Sequence, residues 1–312
     1  MVVNPREAPT PAIAGDVALL PSGAAGAPLR QSNLWRDALR RYSRNRAAVL
    51  AGSVFVLLLL FVLIFPFVSP YDSDKIDFAL KAQGPSLSHP FGTDNFGRDL
   101  MTRTAVGGRV SMGIGFGATL AILLIGVAYG SISGFVGGRL DNGMMRLLDT
   151  LYGLPYLPFA IIVTAIFGNV TFWTMVVALS IVSWFTTARI VRGQIITLKE
   201  NDYVRAARAV GARWYRVLGR HLLPNTLGVL IIAIFLELPG VILGEAILSF
   251  IGLGISPPDA SWGQMANDGR TAYRIAPHII AVPSIAIATL ILCANFVADG
   301  LRDALDPRTK ET

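Results

Sequence analysis

Charge is what this sequence has least of. Only 15% of its 312 residues are charged and 53% are hydrophobic, whereas a soluble domain usually contains about 25% charged residues. About 20 apolar residues in a helix are enough to cross the hydrocarbon core of a membrane. This composition excludes an ordinary soluble protein, because several uncharged windows exceed that length: residues 47–71, 110–138, 150–188 and 275–298.

Cysteine and catalytic motifs are also scarce. Cys293 is the sole cysteine, so no intrachain disulfide can form, and a small buried hydrophobic residue is its ordinary interpretation. No lysine follows a glycine, which excludes the phosphate-binding loop G-x-x-x-x-G-K-[ST], and no hydrolase or zinc-protease motif is present. His89, His221 and His278 lack partners at metal-ligand spacing. We therefore expect no enzyme, and a chain that binds no metal or cofactor itself.

The hydrophobic windows predict an all-α integral membrane protein. The window over residues 150–188 is too long for one span and contains a turn-like "FGNVTF", so we divide it in two. Pro155 and Pro158 predict a kink in the first of these two. No cleavage pattern follows the first window, which we expect to remain as an anchor. A further window, over residues 221–258, is interrupted only by Glu237 and Glu245 and supplies another span. The membrane domain, residues 47–312, then has six spans, at about 46–68, 110–135, 145–167, 172–191, 226–252 and 279–300.

The distribution of lysine and arginine predicts the orientation. If both termini lie in the cytoplasm, 20 of the 27 basic residues lie on the cytoplasmic side and seven outside. This is the asymmetry expected of a bacterial plasma-membrane protein. The basic residues lie at the ends of spans rather than among stacking aromatics, so we expect no nucleic-acid partner.

The residues before span one fall into two parts. Residues 1–32 have little to bury and are expected to be disordered. Residues 33–46, "NLWRDALRRYSRNR", place apolar and basic residues on largely separate faces of a helix. An interfacial helix on membrane lipid is the favoured interpretation, with an ordinary solvated helix as the alternative.

Glycine recurs in span two at four-residue spacing. Such spacing stacks small residues into a groove where another helix can approach closely. Static packing and a sliding surface are both compatible with the pattern, which comprises Gly113, Gly117, Gly126, Gly130 and Gly134.

A basic stretch, "YVRAARAVGARWYRVLGRHLLPN" (203–225), interrupts the apolar sequence with five arginines and no acidic residue. Five arginines cannot rest unpaired at mid-bilayer. We therefore place it in the cytoplasm, as two short helices meeting at Gly211, where a glycine with positive φ would turn the chain.

This stretch resembles the EAA loop of the permeases of ATP-binding-cassette (ABC) importers, whose pattern is E-A-A-x3-G-x9-I-x-L-P. Ala206, Ala207, Gly211, Leu223 and Pro224 match that pattern. Arg205 stands where the family often has glutamate, and His221 where it often has isoleucine. "HPFGTDNFGRDLMTR" (89–103), "EAILSFIGLGISPPDASWGQM" (245–265) and "DGLRDALDPR" (299–308) resemble the second permease subunit of its dipeptide, oligopeptide and nickel branch.

The resemblance implies a type I importer fold, import of short peptides and a set of partners. These are a second permease, one or two cytoplasmic ATPases that hold ATP and Mg²⁺, and an external solute-binding protein. The EAA residues, Arg205 included, would couple to the ATPases. The binding protein would dock on loops around 89–103 and 256–275, with Asp94, Arg98, Asp99 and Trp262 as candidates. Import of nickel chelates or another small solute remains an alternative.

Two acids, Glu237 and Glu245, lie within span five. Buried acids in a span are costly and often functional. They are eight residues apart, or about 80° around a helix, so both can face the bundle interior. A lining for the substrate path, a subunit contact, a hydrogen-bonded structural acid and a proton site of a secondary transporter are the alternatives.

Overall fold

The computed structural model describes residues 34–255 and 259–305, and within these ranges the chain is helical and has no β-sheet. The tail over residues 1–32, for which disorder is predicted, lies outside the described residues. The helices are α1 (Leu34–Tyr42), α2 (Arg46–Val68), α3 (Leu100–Val136), α4 (Gly138–Tyr152), α5 (Tyr156–Phe167), α6 (Phe172–Lys199), α7 (Asp202–Ala209), α8 (Trp214–Val217), α9 (Leu223–Leu248), α10 (Trp262–Gly269) and α11 (His278–Leu305).

Five helical segments in the described residues are long and apolar enough to cross a membrane, and a sixth results if α4 and α5 form one bent span. Helix α2 coincides with the predicted first span. Asn45 fixes its start, because the Asn45 side chain accepts a hydrogen bond from the Ala48 backbone N–H. Helix α1 occupies the region in which the interfacial helix is predicted, and Tyr42 at its end donates to the Ala48 carbonyl.

Helix α3 begins ten residues before the predicted second span. Asp99 caps it by accepting from the Thr102 N–H. Arg103 and Arg109, whose charges indicated a loop, are accommodated inside the helix. Arg103 donates to the Ser73 carbonyl and pairs with Asp74, whereas Arg109 donates to backbone carbonyls of α2. The predicted span therefore begins too late. The uncharged window begins only after Arg109, and the sequence does not reveal the carbonyl and carboxylate partners that allow Arg103 and Arg109 to lie within the helix.

The third predicted span is two helices rather than one kinked helix. Helices α4 and α5 meet at a bend of 92° over residues 153–155. Pro155 precedes α5, and Pro158 lies in its first turn, where a backbone N–H has no partner within the helix. The two prolines therefore start a new helix instead of kinking a continuous one.

The glycines of α3 form the predicted groove, and α6 occupies it. An added Cβ at Gly113 would meet Phe172, at Gly126 the Thr187 side chain, and at Gly134 the Arg192 carbonyl at 2.8 Å. The groove prediction is confirmed. Since the contacts follow the same order along both helices, α3 and α6 run parallel. One end of the bundle holds α7 (the α7 end) and the other holds α10 (the α10 end).

The second half of the basic stretch continues into the span-five helix. A π-helical turn over Leu218–Leu222 joins α8 directly to α9, and helical structure then continues beyond Ser249 until Gly252, whose φ of 90° breaks it. Pro224 lies in the first turn of α9 rather than ahead of it. The span-five helix therefore connects the basic stretch directly to the residues just before Gly252, where a kink ends it.

Candidate functional site

The basic stretch is a helix, a glycine turn and a short second helix. Helix α7 ends at Ala209, and Gly211 follows with a φ of 83°. The Ala212 N–H then donates to the Ala207 carbonyl at 3.1 Å, which satisfies a carbonyl at the helix end. The prediction of a positive φ at Gly211 is confirmed, and no atom lies within 4 Å of an added Cβ, so backbone conformation rather than crowding favours glycine here.

Three buried side chains anchor this stretch to the bundle. Val204, Val217 and Leu222 are fully buried and belong to a cluster that includes Ile195 of α6 and Leu230 of α9. The basic stretch therefore packs against α6 and α9 and is fixed in position by these contacts. Residues with the EAA pattern lie on its accessible side: Ala206 and Pro224 are exposed, and Ala207 and Leu223 are half-buried.

All five arginines of the stretch are exposed. Arg205 pairs with Glu200 at 3.0 Å, and both side chains are about two-thirds exposed. Arg208 stacks on the Phe135 ring at 4.8 Å, and Arg213 donates to the Tyr215 hydroxyl. Such exposed contacts contribute little to stability. The α7 end therefore presents a basic surface on a rigid base.

Glu245 is completely buried, and each of its carboxylate oxygens accepts a hydrogen bond. The hydroxyls of Ser249 and Ser111 donate to its two carboxylate oxygens at 2.6 and 3.2 Å. Ser111 also accepts from the Trp262 N–H at 3.0 Å. The carboxylate thus links α3, α9 and the start of α10, which is a structural role.

Glu237 lies in different surroundings. It lines a cavity of about 520 Å³ between α5, α6 and α9. Its one hydrogen bond among the described residues is accepted from the Thr187 hydroxyl at 3.2 Å. Although 80° separates the two acids around the helix, Glu245 faces α3 and α10 and Glu237 faces α6, so the two acids do not share one site.

The four candidate docking residues lie at the α10 end, but three of them are buried. Asp94 accepts from Arg98 at 2.7 Å and lies 3.5 Å from Arg103. Asp99 bonds His89 at 2.8 Å as well as capping α3. Trp262 is 0% exposed, and its indole N–H donates to the Thr104 carbonyl. The prediction that a partner docks on the side chains of Asp94, Asp99 and Trp262 is therefore corrected. All three side chains are buried and already bond to groups within the chain.

At the α7 end, an ion pair that was not predicted from the sequence joins α4 to α6. Asp141 of α4 accepts two hydrogen bonds from Arg192 of α6, each at 2.6 Å, and another from the Ser133 hydroxyl. Lys199 donates to the Gly134 carbonyl nearby. The paired residues are 51 positions apart, so no local pattern could have indicated them. They fix the position of α4 beside the end of α6.

Two family descriptions match this chain. "Binding-protein-dependent transport system inner membrane component" matches residues 126–311, and "N-terminal TM domain of oligopeptide transport permease C" matches residues 33–85. The first covers more than half of the chain.

Similar proteins agree with these descriptions. The oligopeptide transport system permease protein OppC of Haemophilus influenzae is 38% identical over 284 residues, which is 90% of this chain and 91% of the relative. The dipeptide transport system permease protein DppC of Bacillus subtilis is 43% identical over 279 residues, or 88% of this chain and 86% of the relative. An inward-facing structure of the methionine ABC transporter MetNI aligns with a TM-score of 0.50 and 16% identity, over 66% of this chain and 98% of that one.

Proposed function

This chain belongs to the binding-protein-dependent transport permeases, the inner-membrane components of ABC importers, and we propose that it imports di- and oligopeptides as the second permease subunit of such a system. One observation is central to the proposal: relatives named for oligopeptide and for dipeptide transport match nearly the whole chain. A proton-coupled secondary transporter is not favoured, since those relatives are components of binding-protein-dependent systems.

Energy for transport comes, in this proposal, from separate ATPase subunits that bind the basic stretch. The sequence has no phosphate-binding loop of its own. Support comes from the exposed side chains of Arg205 and Ala206, which have few partners within the described part of the chain. Because α8 continues into α9 through a helical turn, a displacement of the basic stretch would move α9 and the cavity beside Glu237. Closure of the ATPases would thereby drive alternating access.

The α7 end faces the cytoplasm in this proposal, and the α10 end faces outward. The excess of lysine and arginine at the α7 end supports this orientation. An external solute-binding protein would then dock at the α10 end. An open groove there, of about 790 Å³, includes Lys81, Phe96, Asp268 and Arg270 among its lining residues. These residues replace the buried Asp94, Asp99 and Trp262 as candidates for docking. Residues 256–258 of the expected docking region lie outside the described residues.

Reconstitution tests the proposed function. In proteoliposomes, this chain with its second permease, ATPases and binding protein should accumulate a labelled dipeptide or tripeptide when ATP is supplied. This chain alone should neither hydrolyse ATP nor accumulate peptide. Uptake by the chain alone under a proton gradient would overturn the proposal, and so would uptake of a nickel chelate but no peptide by the complete system.

Reporter fusions test the orientation. Fusions after Asn45, Gly138 and Glu200 should report the cytoplasm, whereas fusions after Asp77, Asn169 and Asp268 should report the outside. A cytoplasmic signal at Asp268 would remove the α10 end from any external binding protein.

A further inference from the structure

The cavity beside Glu237 is a chamber with one charged group and many aromatic ones. It lies where α4 bends into α5, and it encloses about 520 Å³. Helix α9 contributes Gly240 next to the acid, and no atom lies within 4 Å of a Cβ added there. The chamber therefore has free space directly along the face of α9 that presents the carboxylate. The residues around it are Tyr152, Leu154, Tyr156, Phe159, Val182, Ser183, Phe185, Thr186, Glu237, Gly240 and Val241.

The carboxylate of Glu237 has unused capacity to accept hydrogen bonds. A carboxylate offers about four lone-pair sites, and the described residues fill one of them, through Thr187. Among the described residues, no lysine, arginine or histidine lines the chamber. Arg189, which stacks on the ring of the lining residue Tyr152, is already engaged, because it pairs with Asp149 at 2.5 Å. Within the described part of the chain, Glu237 has no countercharge.

Glu245 shows that this chain supplies a hydrogen-bond donor to each oxygen of a buried acid that has a structural role. Two serine hydroxyls donate to Glu245, and its surroundings exclude solvent. Glu237, on the same helix, has a single long hydroxyl contact and open space beside it. The difference favours a ligand for Glu237 that arrives from outside the chain.

The residues that line the chamber favour a cationic ligand. An acid surrounded by aromatic rings suits an ammonium, which can donate to the carboxylate while its remaining surface lies against ring faces. Tyr156, Phe159 and Phe185 supply such rings. A carboxylate ligand would be repelled, since the chamber offers it no positive group.

We propose that Glu237 binds the α-ammonium group of the incoming peptide during translocation. This inference rests on the proposed function. Every linear peptide with a free amino terminus has this group whatever its side chains are. An anchor for it would therefore hold one end of the substrate while remaining indifferent to the peptide's sequence, and the large chamber beside it would accommodate varied residues.

The experiment compares two peptides that differ only at the amino terminus. A labelled tripeptide and its des-amino analogue are delivered by saturating loaded binding protein to the complete importer in proteoliposomes. The wild type should transport the free-amine peptide about ten times faster, the size expected from one charge-assisted hydrogen bond. Glu237→Gln should lower its rate by about tenfold and leave the analogue's rate unchanged. Glu237→Asp should retain part of the preference.

Glu245→Gln is the matched control, since it removes a carboxylate of the same helix outside the chamber. It should change both rates by the same factor. A second measurement bypasses the binding protein: free-amine peptide should slow maleimide labelling of Ser183→Cys in the chamber wall, and adding Glu237→Gln should abolish that protection.

Equal loss for both peptides in Glu237→Gln would overturn the inference, and reduced copurification of the second permease would then indicate an ion pair between subunits. Unchanged rates in Glu237→Gln, together with retained protection at Ser183→Cys, would overturn it as well. A wild-type importer that moves neither peptide would instead overturn the proposed function, and the inference with it.

Discussion

The basic stretch at the α7 end and the charged loop at the α10 end differ in how their charges are paired. At the α10 end, Asp94, Asp99 and Arg103 are buried and pair with neighbours inside the chain. At the α7 end, the five arginines of the basic stretch are exposed and make only weak contacts. A buried charge is tolerated only when it is paired and hydrogen-bonded, so these three groups need no partner from another subunit. The α7 end has a rigid base and an unoccupied surface, as expected for a contact with another subunit.

This contrast predicts different experimental effects for substitutions in the two regions. Substitutions of the buried charged residues at the α10 end should lower the stability of the chain itself. Substitutions at the α7 end should leave the chain folded and alter its work with partners. Four substitutions test the distinction, beginning with the one of largest expected effect.

Asp94→Ala should destabilise the folded chain by about 3–5 kcal/mol, because it leaves the buried Arg103 guanidinium with the exposed Asp74 as its remaining ion-pair partner in the described residues, beside the neutral Ser73 carbonyl. The backbone N–H groups of Phe96 and Arg98 also lose their acceptor. The midpoint of thermal unfolding of the purified complex measures the effect. Asp72→Ala, an exposed acid in the same segment, is the control and should change little. Equal midpoints for both variants would contradict the view that the α10 end is internally paired.

Gly211→Val should abolish most transport while the chain still inserts and packs. A β-branched residue at a φ of 83° costs about 1–3 kcal/mol of backbone strain and would reorient α7 relative to α8. Peptide uptake and copurification of the ATPases, at matched membrane levels, measure the effect.

Gly211→Asn provides the matched control, since asparagine tolerates positive φ better than most residues and an added side chain has open space. It should retain most of the uptake. If valine and asparagine reduce uptake equally, the surface of the turn matters rather than its backbone conformation.

Ala207→Glu should reduce uptake by a smaller factor than Gly211→Val. It adds bulk and negative charge to a half-buried position on α7, but leaves the backbone unstrained. Ala207→Ser, which stays small, should be close to the wild type. The uptake rate divided by the amount of ATPase retained measures the effect, and wild-type values for the glutamate variant would remove Ala207 from the contact.

Arg205→Glu should have the smallest effect of the four. It replaces an exposed ion pair with Glu200, and such pairs contribute about 0–1 kcal/mol. It also restores the residue that the resembled loop often has at this position. Growth on a peptide as sole amino-acid source, with unchanged thermal stability, is the measurement. A loss of uptake as large as that of Gly211→Val would show that Arg205 makes a specific contact with a partner.

Much of the fold was predictable from local sequence. The first span follows from its uncharged window, and the glycine groove of α3 follows from four-residue spacing. The positive φ at Gly211 follows from a glycine between two helical segments. Each of these features depends on properties of neighbouring residues, so a window of the sequence contains the information.

The candidate sites were less predictable. The spacing of Glu237 and Glu245 placed both acids toward the interior, yet they face different helices and only one borders a chamber. Asp94, Asp99 and Trp262 looked like surface residues of a polar loop and are buried instead. In each case the deciding partner lies far along the chain, as Trp262 does from Thr104 and Glu245 from Ser111.

The sequence by itself determined that this chain is a helical membrane protein and where most of its spans lie, and it contains no phosphate-binding-loop motif. The physical reason for the first two is that a helix crossing hydrocarbon must be long and apolar with few charges. The tertiary structure decided which charges are paired and where empty space remains beside a carboxylate. Those properties depend on contacts between α3, α6, α9 and α10, since burial and pairing exist only once distant segments have packed together.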